Sequence, residues 1–176
     1  MINGRIKIAI KDRMIKHIIN LNSNIKQNTN IDIIKKIINQ SLQYENVDLV
    51  CVINLLITND DEIQRYNHEY RGVDKATDVL SFPMQVFECA GWGGLSEPEV
   101  DEDTGELPLG DIIISYETVE RHAEEYGNTV EREMAYMVIH SVLHLLGYDH
   151  GDDVSEKIMH DKTKDILDIL GLIKRD

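Results

Sequence analysis

Residues His140 to His150 restrict this chain more than any other stretch. His140 and His144 are four apart, so a helix through them projects both imidazoles from one face, one turn apart, within reach of a shared metal ion. Gly147 can take the left-handed conformation that ends such a helix, and the chain can then turn to bring back His150 as a third ligand. Three protein ligands leave one position open on a tetrahedral metal such as zinc, and an open position is what lets the metal activate water at neutral pH.

Histidines at the first, fifth and eleventh positions with glycine at the eighth repeat the metzincin spacing, but Ser141 departs from it. Metalloproteases of the H-E-x-x-H kind need glutamate directly after the first histidine as general base, and serine cannot take that role. The metal cage is kept while the peptidase base is missing. Three of the chain's seven histidines fall within this short stretch, which outweighs the alternative of a buried helix with unrelated histidines.

A chain of 176 residues is long enough to bury a core without disulfides, and one domain over residues 1–176 is expected. Cys51 and Cys89 match no metal or redox spacing; they fit a reducing compartment, with Cys51 in the core. No apolar run approaches the length of a membrane span, so a cytoplasmic protein without membrane association is expected. The formal net charge of −14 argues against a protein that simply coats nucleic acid. The charge is uneven, however, because residues 1–46 carry eight Lys or Arg against three Asp or Glu. A confined basic strip near Lys35, Lys36 and Arg71 remains compatible with it.

Along the chain, alternation of Ile6, Ile8 and Ile10 with charged residues predicts a strand over 5–11. Ile31, Ile34, Ile37, Ile38 and Leu42 recur at helical spacing behind capping candidates at 28–30, leaving Lys35 and Lys36 on the wet side. The apolar run from Val47 to Ile57 predicts a central strand covered on both faces. Thr58 or Asn59 caps a helix running to about Tyr70, with Arg71 just past its end. Thr77 to Phe82 is a short strand stopped by Pro83. Residues 86–109, rich in glycine and in acid from Glu97 to Glu106, read as a long solvated loop insertion. Asp111 to Ser115 is another strand, and Ser115 caps a helix ending at Gly127. Asn128 with Glu131 forms a capping box for the metal helix, and Asp153 with Glu156 caps a last helix ended by Gly171.

With the run from Thr77 to Pro83 and Gly110 to Ile112 before it, the stretch His140–His150 resembles the YbeY family of bacterial rRNA maturation factors. The likeness covers roughly residues 47–171, and the residues before it agree only in general layout. The resemblance implies an α+β fold with a small mixed β-sheet packed with helices, and one divalent metal ion, zinc first among candidates, on His140, His144 and His150. It also implies single-strand-specific endoribonuclease activity in 16S rRNA 3′-end maturation and ribosome quality control. The implied partners are the 16S rRNA precursor, the ribosomal small subunit and assembly factors, with no DNA expected. Arg71 falls where the family has a functionally important arginine, so a catalytic role is implied; on the residues alone it reads equally as a cation facing a helix dipole. The loop at 86–109 is longer and more acidic than the family pattern, and Ala76 precedes Thr77 where proline is common.

Four further polar or sulfur-bearing residues carry weaker readings. Asp149 could be a base or orient a ligand, yet an acid in a turn past a helix is ordinary. Asp111 could orient a metal-bound histidine, although capping a turn serves as well. Ser141 and Met159 read as packing. Two rivals to the ribonuclease stand: a metalloprotease-like hydrolase with an unconventional base, and a non-catalytic ribosome-assembly factor with a structural metal.

Overall fold

The computed structural model describes residues 15–26 and 30–172, so the strand expected over 5–11 lies outside them. Four strands, β1 (Ile18–Ser23), β2 (Cys51–Thr58), β3 (Val79–Pro83) and β4 (Leu107–Ser115), form one sheet in the order β1-β2-β4-β3. β1 and β4 each run parallel to β2, whereas β3 is antiparallel to β4. Five α-helices accompany the sheet: α1 (Ile31–Tyr44), α2 (Asp60–Arg71), α3 (Tyr116–Tyr126), α4 (Val130–Leu145) and α5 (Asp153–Ile169). This is the small mixed sheet of the expected α+β fold.

Period-two alternation divides the sheet between two clusters. Cys51, Ile53, Leu55 and Ile57 of β2, with Ile112 and Ile114 of β4, join the apolar stripes of α1, α4 and α5 in the main core. Each Ile or Leu buried there is worth about 1.5–3 kcal/mol, so this face carries most of the stabilisation. On the other face α2 sets Ile63 against Leu80 and Ile113 in a small second cluster. Asn20 and Asn54 stay exposed on that side, so β2 is central in the sheet but, contrary to expectation, not covered on both faces. Cys51 is in the core as expected, and burial pushes its thiol up to about 12.

Several boundaries move for local reasons. Val47 lies before β2, its N–H donating to the Leu42 carbonyl at the end of α1. Arg71 is the last residue of α2 and not the first beyond it, because Gly72 takes the left-handed cap (φ 70°). Pro83 closes β3 within the strand, tolerated because β3 is an edge. β4 begins at Leu107, and its extra residue near Gly110 is a bulge against β2. A Cβ on Gly110 would lie 2.4 Å from the Phe82 carbonyl oxygen, so glycine lets β3 approach β4 there.

The loop at 86–109 is only half what its composition implies. Residues 96–105 are exposed, but the first half is tied down. Trp92 Nε1 donates to Asp48 Oδ1 (2.8 Å), the Gly91 N–H donates to the Leu146 carbonyl (2.9 Å), and Phe87 pairs with Leu95.

Candidate metal centre

α4 touches α1, α3, α5, β3 and β4. Its start is capped by Thr129, whose hydroxyl accepts from the Arg132 N–H, and not by the predicted box; Asn128 instead donates its amide to Glu133. Met134, Val138, Ile139, Val142 and Leu145 are buried, so the helix is apolar nearly all round. Two half-buried histidines on such a helix cost solvation unless they have a task. Ser141 is fully buried and donates to the Met137 carbonyl (2.7 Å), which fixes it as packing. Met159 is likewise in the core.

Beyond Leu146 the chain turns through Gly147 at φ 82°. The Tyr148 carbonyl comes 2.8 Å from His144 Nδ1, and since a carbonyl only accepts, that nitrogen carries the proton and His144 Nε2 presents a lone pair. His140 Nε2 lies 3.2 Å from His144 Nε2 and 3.0 Å from His150 Nε2. The three side chains form a group that could hold a metal ion, the only such group among the described residues. The edge of a tetrahedral zinc site with Zn–N of 2.0–2.1 Å is about 3.3 Å, so the nitrogens already stand near ligand spacing. Burial, with His144 and His150 adding to it, pulls the His140 imidazole down to about 4. Burial also lowers His144, against the opposing hydrogen bond from Tyr148. Both rings are thus neutral at pH 7, the state a ligand needs, and three ring nitrogens converging at this spacing suit a shared cation.

Tyr148 is itself anchored. Its hydroxyl donates to Glu45 Oε2 (2.8 Å), and Lys162 pairs with Glu45 Oε1 (2.7 Å) while lying over the Tyr44 and Tyr148 rings. α1 and α5 thereby hold the turn that carries His150.

The histidines open on a cleft of about 680 Å³ bordered by Arg71, Asp78, Ser81 and Pro83. Arg71 is exposed; Nη2 donates to the Ser81 carbonyl (3.2 Å) and the guanidinium lies 5.9 Å from the Phe82 ring centroid. Asp78 and Ser81 reach the cleft from the run Thr77 to Pro83, whose sequence signals a strand and no site. Asp78 Oδ1 accepts from the Val79 N–H and the Thr77 hydroxyl. Asp149 lines the cleft too, but Oδ1 accepts from the His150 N–H, which shapes the turn. Asp111 does not reach the histidines: it faces the other side of the sheet and accepts from Asn54 Nδ2 (2.7 Å). Lys35 and Lys36 belong to α1, on the face opposite α2, and do not line the cleft with Arg71.

Fold and cluster together define an α+β protein built round a three-histidine centre at the end of a buried helix. The model of the family described as Endoribonuclease YbeY matches residues 17–171, reaching further towards the N-terminus than the motifs alone. The chain is 40% identical over 157 residues to an Endoribonuclease YbeY of Agathobacter rectalis, covering 85% of this chain and 95% of that protein. A second, from Heliobacterium modesticaldum, is 47% identical over 120 residues, 68% of this chain and 70% of the relative. The solution structure of TM1509 from Thermotoga maritima superposes with a TM-score of 0.55 at 27% identity, covering 88% of this chain and 90% of that one. The chain belongs to the YbeY family of endoribonucleases.

Proposed function

We propose that this chain is a metal-dependent endoribonuclease specific for single-stranded RNA, with one divalent ion, zinc by preference, on His140, His144 and His150. The observation that carries the reading is the convergence of three imidazoles on one point of a cleft that also holds Arg71. When bound, the ion supplies Lewis-acid polarisation of a phosphoryl oxygen and a lowered pKa for the attacking hydroxyl group. The chain's own groups do the rest. The Tyr148 carbonyl sets the His144 tautomer. Arg71, held by Ser81 at one nitrogen, keeps its other N–H groups for the phosphate oxygens on which charge develops.

The family's role points to 16S rRNA 3′-end maturation and ribosome quality control, in the cytoplasm, with the ribosomal small subunit and its assembly factors as partners. Residues 1–176 act in this reading as one domain that includes the loop at 86–109. Among the described residues no helix is long and apolar enough to cross a membrane. A peptidase is disfavoured because Ser141, where the glutamate base would stand, is buried and already bonded to a carbonyl.

Metal analysis of untagged protein and RNA cleavage with and without chelator test the proposal. The expected outcome is about one ion per chain, lost on replacing any of the three histidines by alanine, and cleavage that chelator abolishes and zinc restores. Cleavage indifferent to chelator, or metal retained in a His140→Ala, His144→Ala double variant, would refute it.

A further inference from the structure

Across β3 from the histidine cleft lies a second groove, of about 410 Å³, on the open face of the sheet. Asn54 and Asp111 line it, and they belong to a row of polar side chains in register across three strands that begins at Asn20 beyond the groove. Asn20 Nδ2 donates to Asn54 Oδ1 (2.9 Å) and Asn54 Nδ2 donates to Asp111 Oδ1 (2.7 Å). The row is therefore directional and ends on a carboxylate whose Oδ2 has no partner among the described residues. One wall is aromatic. Tyr66 and Tyr70 stack at 6.2 Å, and Tyr70 meets the Phe82 ring edge-on at 5.4 Å. Tyr70 is 61% exposed, which is unusual for a large ring lining a groove.

Only β3 separates the groove from the candidate nuclease cleft. Alternation along β3 sends Phe82 into the groove and Ser81 into the cleft, and Arg71 bridges the two, bonded to Ser81 and lying over Phe82. We infer that this groove binds one unpaired base of the RNA strand, stacked on Tyr70 with Phe82 at its edge, while Arg71 takes the adjoining phosphate and leads the backbone over β3 to the histidines. Aromatic faces offer sequence-tolerant stacking, and a free carboxylate oxygen accepts from an exocyclic amine. Uracil offers carbonyl oxygens where cytosine offers its amine, so the groove should favour cytosine over uracil. The inference rests on the ribonuclease reading, which it deepens by assigning a base subsite.

The test is a titration of the full chain with a cytidine tetranucleotide and a uridine tetranucleotide, in chelator so that nothing is cut, followed by NMR. Shifts should concentrate at Asn54, Tyr70 and Asp111, with cytidine binding more tightly. Tyr70→Ala should weaken cytidine binding about tenfold and Tyr70→Trp should preserve it. Asp111→Asn should bring the two affinities together. In metal-loaded protein, Tyr70→Ala should raise KM for single-stranded RNA and leave kcat nearly unchanged. Failure of both tetranucleotides to shift these residues, or equal affinities in the unaltered chain and Tyr70→Ala, overturns the subsite. Should Tyr70→Ala fail to fold, loss of binding in the Trp variant overturns it instead. Base binding as described in a chain that cuts no RNA would leave the subsite standing and remove the nuclease reading; chelator-sensitive cutting without base binding would do the reverse.

Discussion

Arg71 is placed for two tasks that one substitution cannot separate and two can. As the last residue of α2 it faces the helix dipole, and a lysine there would still supply charge. As a fork held on Ser81 and lying over Phe82 it presents planar N–H groups that lysine lacks. Arg71→Lys should therefore damage turnover nearly as much as Arg71→Ala, by about a hundredfold, with metal content and thermal midpoint unchanged. Full activity in the alanine variant would confine the residue to the helix end. The histidines give a pH signature. His140 and His144 take up protons less readily folded than unfolded, so between about pH 4 and 6.5 the unfolded metal-free chain binds more protons. This contribution to stability is fully present above 6.5 and is lost as pH falls towards 4. Urea midpoints of chelated protein should fall from pH 7 to pH 5, and His140→Gln should flatten the fall. A wild-type midpoint constant over that interval would contradict it.

The turn that follows α4 matters as much as the helix. Gly147 has a left-handed backbone, and a Cβ there would lie 2.7 Å from Phe87 Cβ. Gly147→Ala should cost about 1–2 kcal/mol from the backbone alone, lower the melting temperature and weaken metal binding. Gly151→Ala, with open space around it, is the matched control and should do neither. Equal behaviour of the two would remove the turn from the site. Gly147, the histidine spacing and the long apolar runs were legible in the chain because each is local. β1 was missed because only Ile19 and Leu21 alternate there with Asn20 and Asn22, too short a pattern without its parallel partner β2. The cap of α4 falls one residue past the expected one because Asn128 and Thr129 both qualify, and only packing sends the Asn128 amide to Glu133. The buttressing by residues 86–95, like the Glu45, Lys162 and Tyr148 anchor, depends on contacts between distant segments that no local pattern records.

For the molecule as a whole, the balance of −14 sets the terms on which RNA can approach. With Lys35 and Lys36 on the face opposite α2, Arg71 has few cationic neighbours in the cleft, so affinity for free RNA should be weak and fall steeply with salt. Fluorescence anisotropy at low and high salt checks this, and tight binding independent of salt would contradict it. β4 lies between β2 and β3 but is the last strand to be synthesised, so β2 and β3 leave the ribosome with no partner to bridge them. The sheet closes only once residue 115 has emerged, and α4 can seal the core only after that. Birth order thus makes the histidine centre a late acquisition of the growing chain, assembled only after the strand that joins both halves of the sheet.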